Sequence, residues 1–270
     1  MKIVVSALNI FPIKSCGGIA VREAVVVERG FEHDRRWMVT DPNGMFLTQR
    51  NHPKLALAAT TLSREHIALS APGLDPVQIP LELAEGEAIQ TVVWGSKVKA
   101  LQGPREANEW FSTLLGIPCL LVHMPASSIR PVQHSSASKT DHIAFPDAFP
   151  LLVISEASLD DLNRKLAQPV PMNRFRPNIV VRGCGPYEED TWKDIRIGSL
   201  SFLGAKPCVR CATTTVDQTT GIKGTEPLRT LATYRSRNGD VLFGQNLLHR
   251  SQGILRVGDI LTPLPQESHA

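Results

Sequence analysis

The chain has 270 residues, enough for one large or two small domains with a substantial core. Lys plus Arg number 29 and Asp plus Glu 26; the formal net charge of +3 is too mild to make nucleic acid or an anionic membrane the main partner. Five cysteines are too few for a disulfide scaffold, apolar runs such as AVVV at 24–27 and PLLVI at 150–154 are too short to span a bilayer, and MKIVVSALNIFPIK lacks the layout of a signal peptide. A protein of a reducing compartment, cytoplasmic in location, is expected.

The first hundred residues read as short strands between turns. KIVVSALNI is followed by the turn cluster PIKSCGG, then by IAVREAVVVERG, RRWMVT, the turn DPNG at 41–44 and MFLTQR. LALAATTL, HIALSAPG and a hairpin TVVW-GS-KVKAL, with Gly95-Ser96 as its two-residue turn, continue the pattern. Turn signals about every ten residues mark an all-β sandwich or barrel. A helix opens at Pro104, with Ala107, Trp110, Phe111, Leu114 and Leu115 on one face, and stops at Gly116. IPCLLVHM is a strand. Residues 125–149, with three Pro and five Ser, form a polar stretch of the kind that serves as a lid, a binding loop or a linker.

PLLVIS reads as a buried strand, and Ser158 as the start of a helix SLDDLNRKLA with Asp160 and Asp161 in its first turn. The basic stretch RFRPN runs into the strand NIVV. IRIGSLSFLGAK, ATTTVD, VLFGQNLLHR and ILRVGDILTPL are further strands, and EPLRTLATYR is a short helix. The expected class is mainly β, α+β, with a few helices.

The most reactive-looking element is CVRC at 208–211. A zinc site needs a second ligand pair, and Cys16, Cys119 and Cys184 are isolated. A dithiol redox pair wants to open a helix, whereas the following ATTTV has four β-branched residues in five. Two buried thiols at a strand entry is the bland alternative. Against it stand Lys206 and Arg210, since cations stabilise a thiolate, the form that a soft or redox metal binds. Further cations lie at Lys14 beside Ser15 and a Gly pair, at Arg35 and Arg36, and in RFRPN, where Arg174, Arg176 and Asn178 stand at a strand mouth. Adjacent strand residues face opposite ways, so at most one of Arg35 and Arg36 reaches a given site. Gathered together, these residues suit an anionic, phosphate-bearing cofactor with a metal end.

In order along the chain, IFPIKSCGGI, DRRWMVTDPNGMFLTQR, LLVISEASLDDLNRKL, FRPNIVVRG, YEEDTWKDIRIG, CVRCATTTVDQTTG, EPLRTLATYR and VGDILTPL resemble the MOSC family, and within it the branch with an N-terminal β-barrel module that includes the amidoxime-reducing components. The resemblance implies an N-terminal β-barrel domain over 1–122 and a MOSC β-barrel over 123–270, with 125–149 as a long connecting loop. It implies a molybdenum cofactor, with Cys211 as metal ligand and catalytic residue and Cys208 not carried over. Lys14, Ser15, Arg35, Arg176, Asn178 and Arg210 map to the pterin site. Ala148-Phe149 replaces a small hydroxyl pair of the reductase branch, and Asn246 replaces an aromatic.

The implied activity is reduction of N-hydroxylated compounds: amidoximes, hydroxylamines and hydroxylated nucleobases. Within these residues there is neither a GxGxxG fingerprint nor a cysteine quartet for an iron–sulfur cluster, so electrons are expected from an external ferredoxin, flavodoxin or cytochrome b5-like protein with its reductase. The competing reading is a non-catalytic carrier of the cofactor, or of sulfur as a persulfide on Cys211. Asp217 is either support for the site or a plain turn residue.

Overall fold

A computed structural model describes residues 2–265. Its largest sheet closes into a seven-stranded barrel. Around the barrel the strands are Leu151–Ser155, Ile179–Arg182, Ile3–Ile10, Ile260–Pro263, Asp194–Ile197, Leu200–Val209 and Asp240–His249. The last pairs back onto the first through Leu151↔Leu247 and Val153↔Gln245. Inward residues alternate with outward ones, and Val5, Val153, Ile179, Val181, Ile195, Phe202 and Leu247 fill the interior.

One strand pair, Leu151–Ser155 with Ile179–Arg182, is parallel, and the crossover between them carries the helix Glu156–Asn163. Ser155 caps that helix, its hydroxyl accepting the Ser158 amide at 3.0 Å. The helix therefore opens one turn earlier than the SLDDL pattern suggests, because the last residue of the strand doubles as its cap. Leu162 of the helix packs outside the barrel with Ile154, Phe175, Leu231 and Phe243.

A second core lies in the first half of the chain. A four-stranded sheet runs Trp37–Thr40, Leu120–His123, Ser96–Gln102, Ala88–Val93, and a three-stranded sheet runs Ala59–Leu62, His66–Ala71, Leu74–Pro80. The helix Arg105–Leu115 lays Ala107, Trp110, Phe111 and Leu114 between them, against Trp37, Ile67, Ile79 and Leu121. Its end at Gly116, with φ 71, is the left-handed cap that the sequence indicates. Asn108 is buried on the same helix and accepts the Leu121 amide, which ties helix to sheet.

The sheets do not follow a cut at residue 122. Ile3–Ile10 pairs with Ile179–Arg182 and Ile260–Pro263 from the far end of the chain, and Glu23–Val27 pairs with Gly253–Arg256. These partners are chosen by long-range register, which local alternation does not encode.

Three local expectations change and one strand is added. MFLTQR makes only isolated bridges, Thr40↔Phe46 and Met45↔Val92, and LDPVQIP forms the strand Leu74–Pro80 that its two prolines disguise. The hairpin turn is Trp94-Gly95, with φ 50 and 78, one residue earlier than expected. ATTT is a 3₁₀ turn, Ala212–Thr215, and not a strand. There the Thr214 and Thr215 hydroxyls donate to the Cys211 and Ala212 carbonyls, a local bond that outbids β propensity.

Gly204 marks the tightest backbone approach in the barrel wall, since an added Cβ would lie 2.0 Å from the Trp192 carbonyl oxygen. Gly204→Ala is expected to lower stability by about 1–3 kcal/mol, read as a shift in urea midpoint; an unchanged midpoint would contradict this packing.

Candidate active site

The site forms because two strand ends meet. In the antiparallel pair Leu8↔Ile179, the chain leaving Ile3–Ile10 enters the turn with Lys14 and Ser15, beside Arg176 and Asn178, which lead into the partner strand. The Asn9 amide donates to the Asn178 carbonyl at 2.9 Å, and Arg35 joins from the next turn, its amide donating to the Phe11 carbonyl at 2.7 Å. Strand Leu200–Val209 brings Arg210 and Cys211 to the same mouth.

The result is a cleft of about 230 Å³ in which all seven residues picked from the sequence, Lys14, Ser15, Arg35, Arg176, Asn178, Arg210 and Cys211, line the wall. Cys208, Lys206, Ala148, Phe149 and Asn246 line it too, whereas Asp217 does not. Asp217 closes its own turn, accepting the Thr219 and Thr220 amides, and also stands 3.7 Å from Nη1 of Arg174, one of the lining cations. Arg36 turns away from the cleft and is buried near Arg29; Arg35 and Arg36 precede the strand at Trp37, so the positive φ of Arg35 on the turn, and not strand alternation, separates them.

The charge in this cleft is lopsided. Lys14, Arg35, Arg50, Arg174, Arg176, Lys206 and Arg210 face a single carboxylate, Asp147, among the described lining residues. Burial pulls Lys14 down to about 8 and Arg176 to about 9, the neighbouring Arg35 adding to the effect on Arg176. Several guanidinium nitrogens are buried without a hydrogen-bond partner: Arg176 Nη2, Arg210 Nη2 and Arg174 Nε. Orphaned donors of this kind cost stability unless an acceptor fills the cleft.

Backbone strain gathers in the same place. Ser15, Arg35 and Arg176 hold φ of 68, 50 and 54, and Trp94 at the rim holds 50. Each such residue costs about 1–3 kcal/mol, a concentration typical of functional sites. The Phe11 ring supports two of them, with the Arg35 and Arg176 guanidinium carbons 4.6 and 4.2 Å from its centroid.

The cation at the thiol is neither of the two expected. Arg210 turns its guanidinium to the Phe243 and Phe175 carbonyls, and Lys206 lies over Phe149. Arg50, which the sequence reading passed over, places Nε 3.1 Å from Cys211 Sγ, and Thr213 Oγ1 lies 3.4 Å from the same sulfur. Burial pushes the Cys211 thiol up, but the Thr213 and Arg50 hydrogen bonds outweigh it and bring the thiol below its ordinary value. Arg50 is held by Asp147 at 3.1 Å and by the Trp94 ring, 4.3 Å from its guanidinium carbon.

Asp147 also accepts from Lys14 and from Trp94 Nε1. Burial opposes its charge, yet these donors keep its carboxyl well below the usual range. It is delivered by the 125–149 loop, where Arg130 donates to the Ala144, Pro146 and Asp147 carbonyls and so folds the loop end onto the cleft. No signal in the sequence singles out Arg50, Asp147 or Trp94, since each reads as an ordinary residue of a turn or loop.

The fold and this site define a class: a two-module β protein whose modules jointly wall a cationic cleft around one activated thiol. The descriptions of two family models match, the MOSC N-terminal beta barrel domain over residues 2–118 and the MOSC domain over 140–262. The mitochondrial amidoxime-reducing component 1 of Xenopus laevis is 36% identical, covering 95% of this chain and 80% of its own length. The human protein of the same name is 34% identical over 94% and 81%. The YUAD protein from Bacillus subtilis aligns over 97% of this chain and 94% of its own at 12% identity, with a TM-score of 0.46. The chain belongs to the MOSC family, in the form that carries the N-terminal β-barrel module.

The other cysteines are poor nucleophiles. Burial pushes Cys16 up to about 12 and Cys119 and Cys184 to about 11, and raises Cys208 as well. In cofactor-free protein near neutral pH, iodoacetamide is expected to label Cys211 first, and Arg50→Ala to slow that labelling several-fold. Peptide mapping by mass spectrometry reads both; preferential labelling of Cys208 would overturn the assignment of the activated thiol.

Proposed function

We propose that this protein is an oxidoreductase that reduces N-hydroxylated compounds, using a molybdenum–pterin cofactor seated in the cleft with the Cys211 thiolate as a ligand to the metal. The charge of the cleft carries the reading. A lining with seven cations and one carboxylate, an excess of positive charge even with Asp34 and Asp217 beside Arg35 and Arg174, and with several donors buried without acceptors, calls for an anion with many oxygen acceptors, and a polarised thiol beside them calls for a soft or redox metal. The names of the relatives, amidoxime-reducing components, support the substrate class.

When bound, the cofactor supplies a two-electron reduction: the N–O bond breaks, two electrons and two protons are taken up, and water leaves. The chain supplies the rest. Arg35, Arg176 and Arg210, with Lys14, Ser15 and Asn178, grip the anionic pterin end. Arg50 and Thr213 keep the Cys211 sulfur in its ligating form, and Asp147 fixes Arg50 and Lys14 in place. Ala148, Phe149 and Asn246 line the cleft where the organic part of a substrate enters. Electrons arrive from an external protein; the exposed Lys206 and Lys223 and the half-buried Arg50 give the rim a positive face that an acidic ferredoxin or flavodoxin complements.

The deciding experiment is molybdenum content per chain in protein made by cells that synthesise the cofactor, joined to steady-state reduction of benzamidoxime. Wild type is expected to carry the metal and to turn over with a reductase–ferredoxin pair or a chemical one-electron donor, and not with NADPH alone. Cys211→Ser should abolish turnover while Cys208→Ser is much milder, because a neutral hydroxyl is a far poorer metal donor than a thiolate. A metal-loaded protein inert with every donor would favour the carrier role instead.

The grip on the cofactor is tested separately. Lys14→Ala, Arg35→Ala and Arg176→Ala should each lower cofactor affinity by about 1.5–3 kcal/mol, the loss of one charge-assisted hydrogen bond. Because burial lowers Lys14 to about 8, that grip should also weaken as pH rises through this value. Molybdenum and pterin content after dialysis at pH 7 and pH 9 reads both effects; unchanged occupancy in all three variants would refute the assignment.

A further inference from the structure

A cavity of about 300 Å³ adjoins the cofactor cleft at its rim, and Asp147 and Ala148 line both. Trp94 and Ser96, at the turn between the strands Ala88–Val93 and Ser96–Gln102, form one wall. Arg130, Gln133 and Ile143, from the loop that delivers Asp147, form the other.

Trp94 is the anomaly of this pocket. Of the four tryptophans, Trp37, Trp110 and Trp192 are buried, whereas Trp94 is 48% exposed. It holds its φ of 50 at the first position of a tight hairpin turn, where asparagine, aspartate or glycine is the ordinary choice. A bulky ring in that conformation costs stability, and so exposed a ring gains little from burial to offset it. The indole is nevertheless held firmly. Arg50 lies over its ring, the Phe46 ring stands 5.3 Å away at a tilt of 54°, and Nε1 donates to Asp147 at 3.0 Å. A fixed flat ring with uncovered surface, beside a reactive cleft, is a platform for a second flat ring.

The polar groups around the platform define what that second ring carries. Asp147 Oδ2 accepts from Arg50 and retains a lone pair for a further donor. Arg130 is 5% exposed; its Nη1 and Nη2 donate to the Ala144, Pro146 and Asp147 carbonyls, while Nε is buried with no partner. Ser96 and Gln133 add a hydroxyl and a carboxamide. Donors in excess on a confined wall favour an acceptor oxygen on the ligand.

We infer that this rim pocket is the substrate subsite, and that it selects flat, conjugated N-hydroxylated compounds bearing an acceptor oxygen over aliphatic ones. This rests on the reductase reading. The ring lies against Trp94, the N–H donors of the reacting group face Asp147, and the acceptor oxygen meets the donors of Arg130, Ser96 and Gln133. The N–OH group then points past Ala148 toward Cys211, whose sulfur is 3.1 Å from the same Arg50 that backs the Trp94 ring.

The test uses the molybdenum-loaded full chain with a chemical one-electron donor. The substrates are benzamidoxime, its 4-carbamoyl and 4-methyl derivatives, and acetamidoxime. In wild type the 4-carbamoyl compound is expected to have the lowest KM and acetamidoxime the highest. Trp94→Leu and Trp94→Phe both lose the bond to Asp147 and both keep a side chain at positive φ, so they differ in the aromatic face. Trp94→Leu should raise KM for the ring substrates about threefold to tenfold and move acetamidoxime much less, and Trp94→Phe should keep most of the selectivity. Ser96→Leu, which narrows the pocket and leaves Arg50 and Asp147 in place, should also raise KM for the ring substrates. An equal loss for acetamidoxime and benzamidoxime in Trp94→Leu would assign Trp94 to holding Arg50 alone and overturn the subsite. Equal KM for the carbamoyl and methyl compounds, or an unchanged KM in Ser96→Leu, would overturn it as well.

Binding is read apart from turnover. In oxidised protein without a donor, 4-carbamoylbenzamidoxime should change the tryptophan fluorescence saturably, and Trp94→Phe should lose that change because the other three indoles are buried. Turnover of benzamidoxime without this signal would overturn the subsite and leave the reductase reading standing. A Trp94-dependent signal in protein inert with every donor would uphold the pocket as a site for flat N-hydroxylated compounds, and the failure would be that of the reductase reading.

Discussion

Seven cations gathered around one cleft, with Asp147 the single carboxylate in its lining and Asp34 and Asp217 beside Arg35 and Arg174, are the constraint on which the rest of this structure depends. Like charges buried together repel and lose hydration, so the fold must hold them where a chain left to itself would spread them. It does so with backbone carbonyls and rings as well as with counter-ions, Asp34 for Arg35, Asp217 for Arg174 and Asp147 for Lys14 and Arg50. Arg176 donates to the Cys16 carbonyl, Arg210 to Phe243 and Phe175, and Lys14 to Phe145. The lining carboxylate is spent where two modules and a loop meet. Asp147, from the 125–149 loop, binds Lys14, Arg50 and Trp94 from the first half of the chain, and Arg50 reaches Cys211 in the second.

The same logic accounts for the strained backbone. Ser15, Arg35 and Arg176 hold positive φ without being glycine, each on a turn that leaves or enters a strand. A left-handed residue reverses the chain sharply, which aims the side chain into the cleft from a strand end that would otherwise point past it. The barrel supplies the rigidity that keeps these conformations in place, through the Asn9–Asn178 backbone bond and the stack of Phe11 with two guanidinium groups. Stability of the barrel and chemistry of the site are thus exchanged at the same few residues.

The topology makes the site a joint product. Because Ile3–Ile10 lies inside the barrel formed mostly by the second half of the chain, the turn with Lys14 and Ser15 emerges at the barrel mouth. The N-terminal sheets then pack beside that mouth, and Arg50 and Trp94 come with them to its rim. Neither half alone places a cation against Cys211.

From the sequence alone, the β-rich class, the helix ending at Gly116 and the seven lining residues could be read. The class and the helix rest on local chemistry, alternation, caps and turn residues; the candidate cations and thiols stood out by their charge and sulfur, and the family resemblance chose the seven among them. The CVRC stretch stood out by its neighbours Lys206 and Arg210, and the family resemblance chose Cys211 within it, yet the cation that touches that thiol is Arg50, 161 residues away. A side chain's direction follows from its strand's register and from what packs across it, and a linear string of residues carries neither. For that reason the partner of the thiol, the role of Asp147, the turn at Trp94 and the assignment of the first strand to the barrel were decided only by the tertiary structure. ATTT shows the same limit at short range, where threonine hydroxyls found nearby carbonyls and replaced the expected strand with a 3₁₀ turn.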